Sequence, residues 1–240
     1  MESFIPKLIT FSSHNDGLFI EIENLLCNFD NPAIMDCKIG IRSHSQDLEG
    51  SDEDKERPDL YLKLLKQRPD LLTEEEHTAK AIKKSTYMKR SAENSTMTNF
   101  GFRIGGFKKI NDENVDTSTR SLTKKEDVVR TLIDFADQNK DILADYFVKL
   151  ENIIRELENC DVIRTYEFIG TSILLVHELN PVLRTGVWII DFNRVKKLNV
   201  SINHYDQWDG SNYEDGFLFG IRSFADLIKV SQENLIYSYP

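Results

Sequence analysis

The sequence of 240 residues is poor in cysteine and has no long apolar run. Its three cysteines, Cys27, Cys37 and Cys160, show no paired spacing, which argues against a disulfide scaffold or a zinc site and favours a reducing compartment. No apolar stretch approaches the roughly 20 residues of a membrane helix, and the N-terminal residues lack the pattern of a secretory signal. The sequence therefore predicts a monomeric cytoplasmic protein, with the nucleus as the alternative compartment, that does not insert into a membrane.

Positive charge is also scarce, since the formal net charge is −10. This balance makes nucleic acid an unlikely partner on bulk electrostatics, so we expect none. An anionic ligand would need a local basic patch that works against the acidic background. The composition, 40% hydrophobic and 29% charged, is ordinary for a globular protein and allows one large domain or a small lobe with a larger one.

An acid and a base lie two residues apart inside the apolar run from Pro32 to Gly40. If this run is a strand, Asp36 and Lys38 point to the same face, because strand side chains alternate with a period of two. A buried carboxylate beside a buried ammonium is costly unless both are paired or hold a ligand. Spacing alone leaves two interpretations open, a structural ion pair at a strand end and a ligand site.

A basic segment stands out further along the chain. Thr73 and Glu76 form a capping-box pattern that opens a helix, and residues 78–92 then hold five cations and no acid. A continuous helix would place Lys80, Lys83 and Lys84 on adjoining faces. These cations either form a solvated helix face or bind several phosphates, which lysine and arginine hold by charge-assisted hydrogen bonds.

Other segments suggest the core. Residues 140–160 show the clearest helical period, residues 100–110 suggest a strand with a bend at two glycines, and residues 162–168 and 172–178 suggest two paired strands. The apolar stretch from Gly186 ends in Asp191, and a carboxylate at the end of a buried strand must be paired, hydrogen-bonded or bound to metal. The five histidines form no metal-ligand spacing.

Several of these segments resemble one family. Pro32, Asp36, Lys38 and Gly40 match the P-x-x-x-D-x-K-x-G signature of the inositol polyphosphate kinases. Further matches follow in the family's order over about residues 4–230: the Ser95–Gly106 segment with its G-F-R-I, Ser172 in an S-S-L-L-like element, the I-D-F at residues 190–192, and residues 215–220. The Ser95–Gly106 segment resembles the hexakisphosphate kinase and multikinase branches more than the trisphosphate 3-kinases.

The resemblance implies an α+β fold with two lobes, related to protein kinases, in which antiparallel sheets pack against helices. Residues 1–27 would be a remnant of the N-terminal lobe with the hinge, and residues 28–240 the C-terminal lobe with a substrate-binding helical insert at 57–97. The family carries a lysine for the ATP phosphates upstream of its F-x-P-K motif, which is Phe4–Lys7 here. We therefore expect a truncated N-terminal lobe, which leaves ATP affinity and turnover open.

The activity that the resemblance implies is transfer of the ATP γ-phosphate to an inositol polyphosphate, with ATP and Mg²⁺ as cofactors. The carbonyl of Glu23 and the amide of Leu25 would hold the adenine, and Asp36 the ribose. Lys38 would contact the phosphoryl group in flight and Asp191 would bind magnesium. The implied substrate-binding residues are Lys38, Lys80, Lys83, Lys84 and Arg194.

Three hypotheses follow for the function. The first is an active kinase, whose first expected acceptor is inositol hexakisphosphate, giving a diphosphoinositol phosphate, and whose second is a tris- or tetrakisphosphate, as for a multikinase. The second is a protein that binds inositol phosphates without transferring phosphate. The third is a structural or interaction protein whose basic segment is only a surface.

Overall fold

The computed structural model describes residues 4–14, 17–110, 112–179 and 182–237. A four-stranded antiparallel sheet with the strand order β6-β3-β8-β9 lies at its centre. Its strands are β3 (Ala33–Ile39), β6 (Phe102–Lys108), β8 (Ser172–Leu179) and β9 (Leu183–Ile190). Buried and half-exposed residues alternate along β3, so one face of the sheet builds the core and the other stays partly open.

Three helices cover the buried face of this sheet: α5 (Lys125–Phe135), α6 (Lys140–Glu158) and α7 (Phe217–Tyr237). Their apolar side chains and those of the sheet form one cluster. The rings of Phe102 and Phe224 lie 5.0 Å apart between sheet and α7, and Tyr146 of α6 forms a 2.9 Å hydrogen bond with His177 of β8. The helical period predicted for residues 140–160 is thus confirmed as a core helix.

The other strands pair in two-stranded antiparallel sheets. They are β1 (Leu8–His14) with β2 (Gly17–Ile22), β4 (Glu56–Arg57) with β5 (Ile82–Lys83), and β7 (Tyr166–Phe168) with β10 (Val195–Lys197). The mixed architecture with antiparallel sheets agrees with the expected α+β class.

The predicted pairing of residues 162–168 with 172–178 is wrong. Residues 161–165 form a 3₁₀ helix, β7 pairs with β10, and β8 lies between β3 and β9. The turn at Gly170 does not bring β7 and β8 together as a hairpin. Instead, the Thr171 carbonyl accepts a hydrogen bond from the amide of Ile39, so β8 starts beside β3 in the central sheet.

The continuous basic helix predicted over residues 78–92 is also wrong. The capping box of Thr73 and Glu76 is present, but α2 (Glu74–Ala79) stops at Lys80, which has a left-handed backbone with φ 50°. Lys83 then lies in β5, and the next helix, α3 (Lys84–Glu93), begins after it. The side chain of Ile82 decides this break, since it is buried with Tyr61 and Leu64 of α1 (Pro58–Gln67) in a small separate core.

The β1–β2 hairpin exposes one apolar face. Leu18 and Ile20 of β2 are 80% and 71% exposed, and Phe11, the cross-strand partner of Ile20, is 71% exposed.

A short helix, α4 (Met97–Phe100), precedes β6. None of the helices within the described ranges is long and apolar enough to cross a membrane.

Candidate active site

The open face of the central sheet carries the predicted acid and base. Asp36 and Lys38 are both half-exposed, whereas Cys37 between them is buried in the core. The predicted bend also exists, since the β3–β6 register shifts between Asp36 and Cys37, opposite Gly105. A Cβ at Gly105 would lie 3.5 Å from Asp36 Oδ1, which is van der Waals contact, so Gly105 lies directly beside this carboxylate.

The ammonium of Lys38 contacts three oxygen-bearing side chains. Its Nζ lies 3.3 Å from Asp36 Oδ2 and donates to Ser172 Oγ at 2.7 Å and to Asp191 Oδ2 at 2.6 Å. Strand register explains the convergence, because Lys38 pairs with Ser172, and Ser172 pairs with Ile190, the residue before Asp191. The structure therefore brings Asp36, Lys38 and Asp191 into one group, as a shared site requires.

Asp191 follows the last residue of β9 and has a left-handed backbone with φ 68°. A non-glycine residue pays for this conformation and keeps it only where the surrounding structure holds it in place. Its side chain is 48% exposed. The carboxylate is thus fixed by its backbone, bound to Lys38 on one side and open to solvent on the other.

Ser172 matched the family's S-S-L-L-like element, but the sequence assigned it no role in the site. The side chain is fully buried and accepts the hydrogen bond from Lys38. The usable signal was its place at the start of β8, but only the strand pairing reveals Lys38 as its partner.

The guanidinium of Arg194 lies beside this group. A Cβ at Gly170 would overlap its Nη2, so Arg194 packs directly on the glycine. Its Nη1 donates to the Ser43 carbonyl at 3.3 Å. Arg194 is exposed as a whole, but desolvation of its guanidinium lowers the pKa of Arg194, and the nearby charge of Asp191 opposes the effect. A fixed cation next to the Asp191 carboxylate is suited to binding phosphate.

Two further arginines border the site. Arg103 is the cross-strand neighbour of Lys38 on β6 and donates to Ser91 Oγ of α3 at 2.7 Å. Burial lowers the pKa of Arg103, and the charge of Arg120 acts in the same direction. Arg120 is exposed and donates to the Gly105 carbonyl at 2.6 Å. Arg103 belongs to the G-F-R-I motif, but the sequence assigned it no role in binding. Nothing in the sequence pointed to Arg120.

The three insert lysines predicted to bind substrate do not lie together on one helix. Lys80 is exposed at the end of α2, and Lys83 is the residue before α3. Lys83 lines a cavity of about 530 Å³ that also holds acids, among them Asp54. Of these three, Lys84 alone shares the helix face of Ser91, which Arg103 contacts, because seven residues are about two turns of a helix.

The predicted hinge residues lie at another part of the molecule. Glu23 and Leu25 line a cavity of about 980 Å³ together with Trp188 of β9. The amide of Glu23 donates to the Lys7 carbonyl at 2.9 Å. Trp188 is three residues before Asp191, so this cavity and the Lys38 group are connected along β9.

The donor set suits a hard divalent cation. Asp36, Ser172 and Asp191 supply oxygen atoms, and Oδ1 of Asp36 is buried without a hydrogen-bond partner among the described residues. Within those residues no group of three or more His, Cys, Asp or Glu side chains could hold a metal. Magnesium is commonly held by one or two carboxylates together with substrate phosphates and water, which is what this arrangement allows.

Comparison with solved structures defines the class of fold. The chain superposes on an inositol phosphate multikinase with a TM-score of 0.60 at 23% identity, over 95% of this chain and 89% of the other. A second match is the multikinase from S. cerevisiae, solved with ADP and Mn²⁺, with a TM-score of 0.61 at 15% identity over 95% and 88% of the two chains. At these identities the likeness establishes the fold, which is that of the inositol phosphate multikinases.

The sequence comparisons give the family. The model of the inositol polyphosphate kinase family matches residues 19–229. Inositol-trisphosphate 3-kinase A of Mus musculus is 34% identical over 228 residues, covering 93% of this chain and 49% of the relative. The inositol-trisphosphate 3-kinase homolog of Caenorhabditis elegans is 33% identical over 239 residues, covering 97% and 47%. The chain belongs to the inositol polyphosphate kinase family and spans about half the length of these curated relatives.

Proposed function

We propose that this protein transfers the γ-phosphate of ATP to an inositol polyphosphate. The observation that carries the proposal is the convergence of Asp36, Ser172 and Asp191 on the ammonium of Lys38, at one end of an open sheet face. Phosphoryl transfer needs no covalent intermediate on the protein, and positioning with charge neutralisation does most of the work. Carboxylates for a metal beside a fixed cation are the groups that such a reaction uses.

The open sheet face offers a path for a nucleotide between the hinge and this group. The half-exposed apolar side chains of Ile34, Leu174 and Trp188 lie on the same face as Asp36 and Lys38, because they occupy the matching positions of β3, β8 and β9. We assign the adenine to the end near Glu23 and Leu25, and the ribose to Asp36. The phosphates would then extend toward Lys38 and Asp191.

Asp191 would hold Mg²⁺, with Ser172 and Asp36 as neighbouring oxygen donors. The bound ion would neutralise the β- and γ-phosphate oxygens. Lys38 would leave Asp191 and donate to the phosphoryl group during transfer.

The acceptor would bind between the sheet and the insert. Arg194, Arg103 and Arg120 border this side, and Lys84 lies on the facing side of α3. Lys80 and Lys83 would contribute only to the outer rim, since neither lies on that face. We also propose a division into two parts. Residues 1–27 form the N-terminal part with the hinge, and residues 28–240 form the C-terminal lobe, which includes the substrate-binding insert at 57–97.

The relatives' names support an inositol trisphosphate as the acceptor, since they are trisphosphate 3-kinases. The Ser95–Gly106 segment supports the alternative, inositol hexakisphosphate, with a diphosphoinositol phosphate as product. The third candidate acceptor is an inositol tetrakisphosphate, as expected for a multikinase.

One observation favours a protein that binds inositol phosphates without transferring phosphate. The β1–β2 hairpin is exposed along its length, so the described part of the small lobe gives a nucleotide little cover. Exclusion of water strengthens every electrostatic contact in such a site, and an uncovered nucleotide would lose that advantage.

The test is ADP release with a trisphosphate, a tetrakisphosphate and the hexakisphosphate, in Mg²⁺ and ATP. Asp191→Asn should lower turnover by about 100-fold or more, and the exposed Asp52→Asn should leave it unchanged. Equal activity of Asp191→Asn and wild type would remove Asp191 from the metal site. Binding of an inositol phosphate without ADP release would favour the binding protein instead.

A further inference from the structure

The loop between the hinge and β3 is held by a buried acid at the far end of the sheet from Lys38. Glu178 of β8 is 3% exposed. Its Oε1 accepts the amides of Asp30, at 3.1 Å, and Asn31, at 2.8 Å. Its Oε2 lies 3.5 Å from Nη2 of Arg184, whose Nη1 donates to the Asn28 carbonyl at 2.5 Å.

Strand register creates this arrangement. Glu178 and Arg184 are cross-strand partners on β8 and β9, so their side chains lie on the same face of the sheet. Ser172 lies six residues earlier on β8, an even number, so this is also the face of Lys38 and Ser172. At about 3.3 Å per residue, the two groups are roughly 20 Å apart along the strand.

A buried carboxylate at this place is expensive unless it is hydrogen-bonded. The two amides satisfy Oε1 and the charge of Arg184 faces Oε2, which has no hydrogen-bond partner among the described residues, and these contacts hold the connection from Asn28 to Asn31 on the sheet. Glu23 and Leu25 lie at the start of this connection, and Asp36 and Lys38 follow it on β3. The pair thus couples the position of the hinge to the position of the Lys38 group.

We propose that Glu178 and Arg184 are positioning residues that set the distance between the adenine end and the phosphate end of the nucleotide site. This inference rests on the proposed function, because it assigns the nucleotide to the open face of the sheet. Neither residue touches the reacting atoms. Glu178 acts on the nucleotide through the backbone of residues 28–31, and Arg184 acts both through this backbone and as a residue that lines the cavity of Glu23 and Leu25.

The test compares Glu178→Ala, Glu178→Gln and Arg184→Met with wild type. Binding of ADP with Mg²⁺ is measured by titration calorimetry, and the KM values for ATP and for the acceptor are measured separately. Glu178→Ala and Arg184→Met should each weaken ADP binding about tenfold and raise the KM for ATP to match. The KM for the acceptor should stay within twofold. Glu178→Gln, whose amide oxygen can still accept both backbone amides, should recover most of the ADP affinity.

Glu167→Gln is the matched control, because Glu167 is also buried and also pairs with an arginine, Arg42, but away from the hinge. It should lower the melting temperature and leave the ratio of the two KM values unchanged. Arg184 is partly exposed, so Arg184→Met keeps the test available if Glu178→Ala does not fold.

Two outcomes would overturn the inference. One is unchanged ADP affinity in Glu178→Ala and Arg184→Met while wild type binds and turns over ATP; this leaves the proposed function intact. The other is an equal rise of both KM values, which indicates a general loss of structure. A wild-type protein that binds no ADP would instead refute the proposed function, and the inference with it.

Discussion

Nζ of Lys38 lies 2.6 Å from Oδ2 of Asp191, although the two residues are 153 positions apart in the chain. The pairing of β3 with β8 and of β8 with β9 brings them together. The ammonium thus pairs with the carboxylate that we assign to magnesium. Lys38 therefore has two partners in the proposed cycle, Asp191 before the nucleotide binds and the phosphoryl group afterwards.

Replacing Lys38 by methionine tests the second of these roles. The substitution keeps the length of the side chain and removes the charge, so turnover should fall by about 100- to 1,000-fold. Binding of ADP with Mg²⁺ should persist, because Asp191 keeps its carboxylate. Rates of ADP release and calorimetric titration measure the two effects. Turnover within threefold of wild type would contradict a role for Lys38 in the transfer.

The space beside Gly170 determines where Arg194 lies. Gly170 has φ +74°, and a Cβ there would come 2.6 Å from Cζ of Arg194. Gly170→Ala should cost about 1–2 kcal/mol of stability from the backbone alone, and it should also raise the KM for the acceptor by displacing the guanidinium.

Gly210→Ala separates these two effects. Gly210 has φ +87°, but a Cβ there would have nothing within 4 Å. It should show a similar loss of stability in urea unfolding with an unchanged KM. If Gly170→Ala also leaves the KM for the acceptor unchanged, Arg194 does not contact the substrate.

His177 makes stability depend on pH below neutrality. It is fully buried against Tyr146, and burial lowers the pKa of His177 to about 4. The unfolded chain binds a proton near pH 6.5 that the folded chain does not accept until about pH 4. Stability from this group is complete above pH 6.5 and should fall by about 2 kcal/mol between pH 6.5 and pH 5. His177→Gln should reduce that fall in urea unfolding measured at the two pH values; an unchanged slope would contradict the assignment.

His204 has the opposite dependence. Its Nδ1 lies 2.9 Å from Oδ1 of the buried Asp215. Burial by itself would lower the pKa of His204, but the hydrogen bond and charge of Asp215 outweigh it and the pKa is raised. The stabilisation is therefore complete below the unfolded value near 6.5 and is lost as the pH rises through the folded value. Wild-type stability should fall between pH 6.5 and pH 9, and His204→Gln should remove this fall. The loss of stability below pH 6.5 that we assign to His177 should remain in this variant.

The buried ion pair of Arg42 and Glu167 should be sensitive to the loss of one partner. The pair spans 3.3 Å with both side chains almost completely buried, and Arg42 also lies over the ring of Trp208. Arg42→Met leaves the Glu167 charge buried and should cost about 3 kcal/mol.

Arg57→Met is the control for this substitution, because Arg57 pairs with Asp59 on the surface. It should leave the midpoint of urea unfolding unchanged. A loss below about 1 kcal/mol for Arg42→Met would mean that solvent reaches Glu167 in the variant.

Local patterns predicted much of this molecule. The two-residue spacing of Asp36 and Lys38 placed them on one face if their apolar run is a strand, which it is, and the period of residues 140–160 predicted α6. Both signals depend on side chains that repeat at the spacing of the element they form. The capping box predicted at Thr73 was also correct, because its contacts are local and span only three residues.

The predictions that failed involve tertiary contacts. Nothing local marks Lys80 as the end of a helix, because the break is made by the burial of Ile82 against the side chains of α1. The strand partners of residues 162–168 were also wrong, since β7 pairs with β10 while β8 pairs with β9 and with the distant β3. Arg120 has no motif of its own, and only the fold places it near Arg103.

The sequence by itself determined the elements and the types of residue available for chemistry: an acid and a base on one strand face, an acid at the end of another strand, and many cations in the insert. The tertiary structure alone decided which of these residues meet. Strand pairing joins Lys38 to Ser172 and Asp191, and the left-handed backbone of Lys80 ends α2 before Lys84 begins α3. The reason is physical, because an element is specified by contacts within a few residues, whereas a site depends on register and burial between segments more than a hundred residues apart.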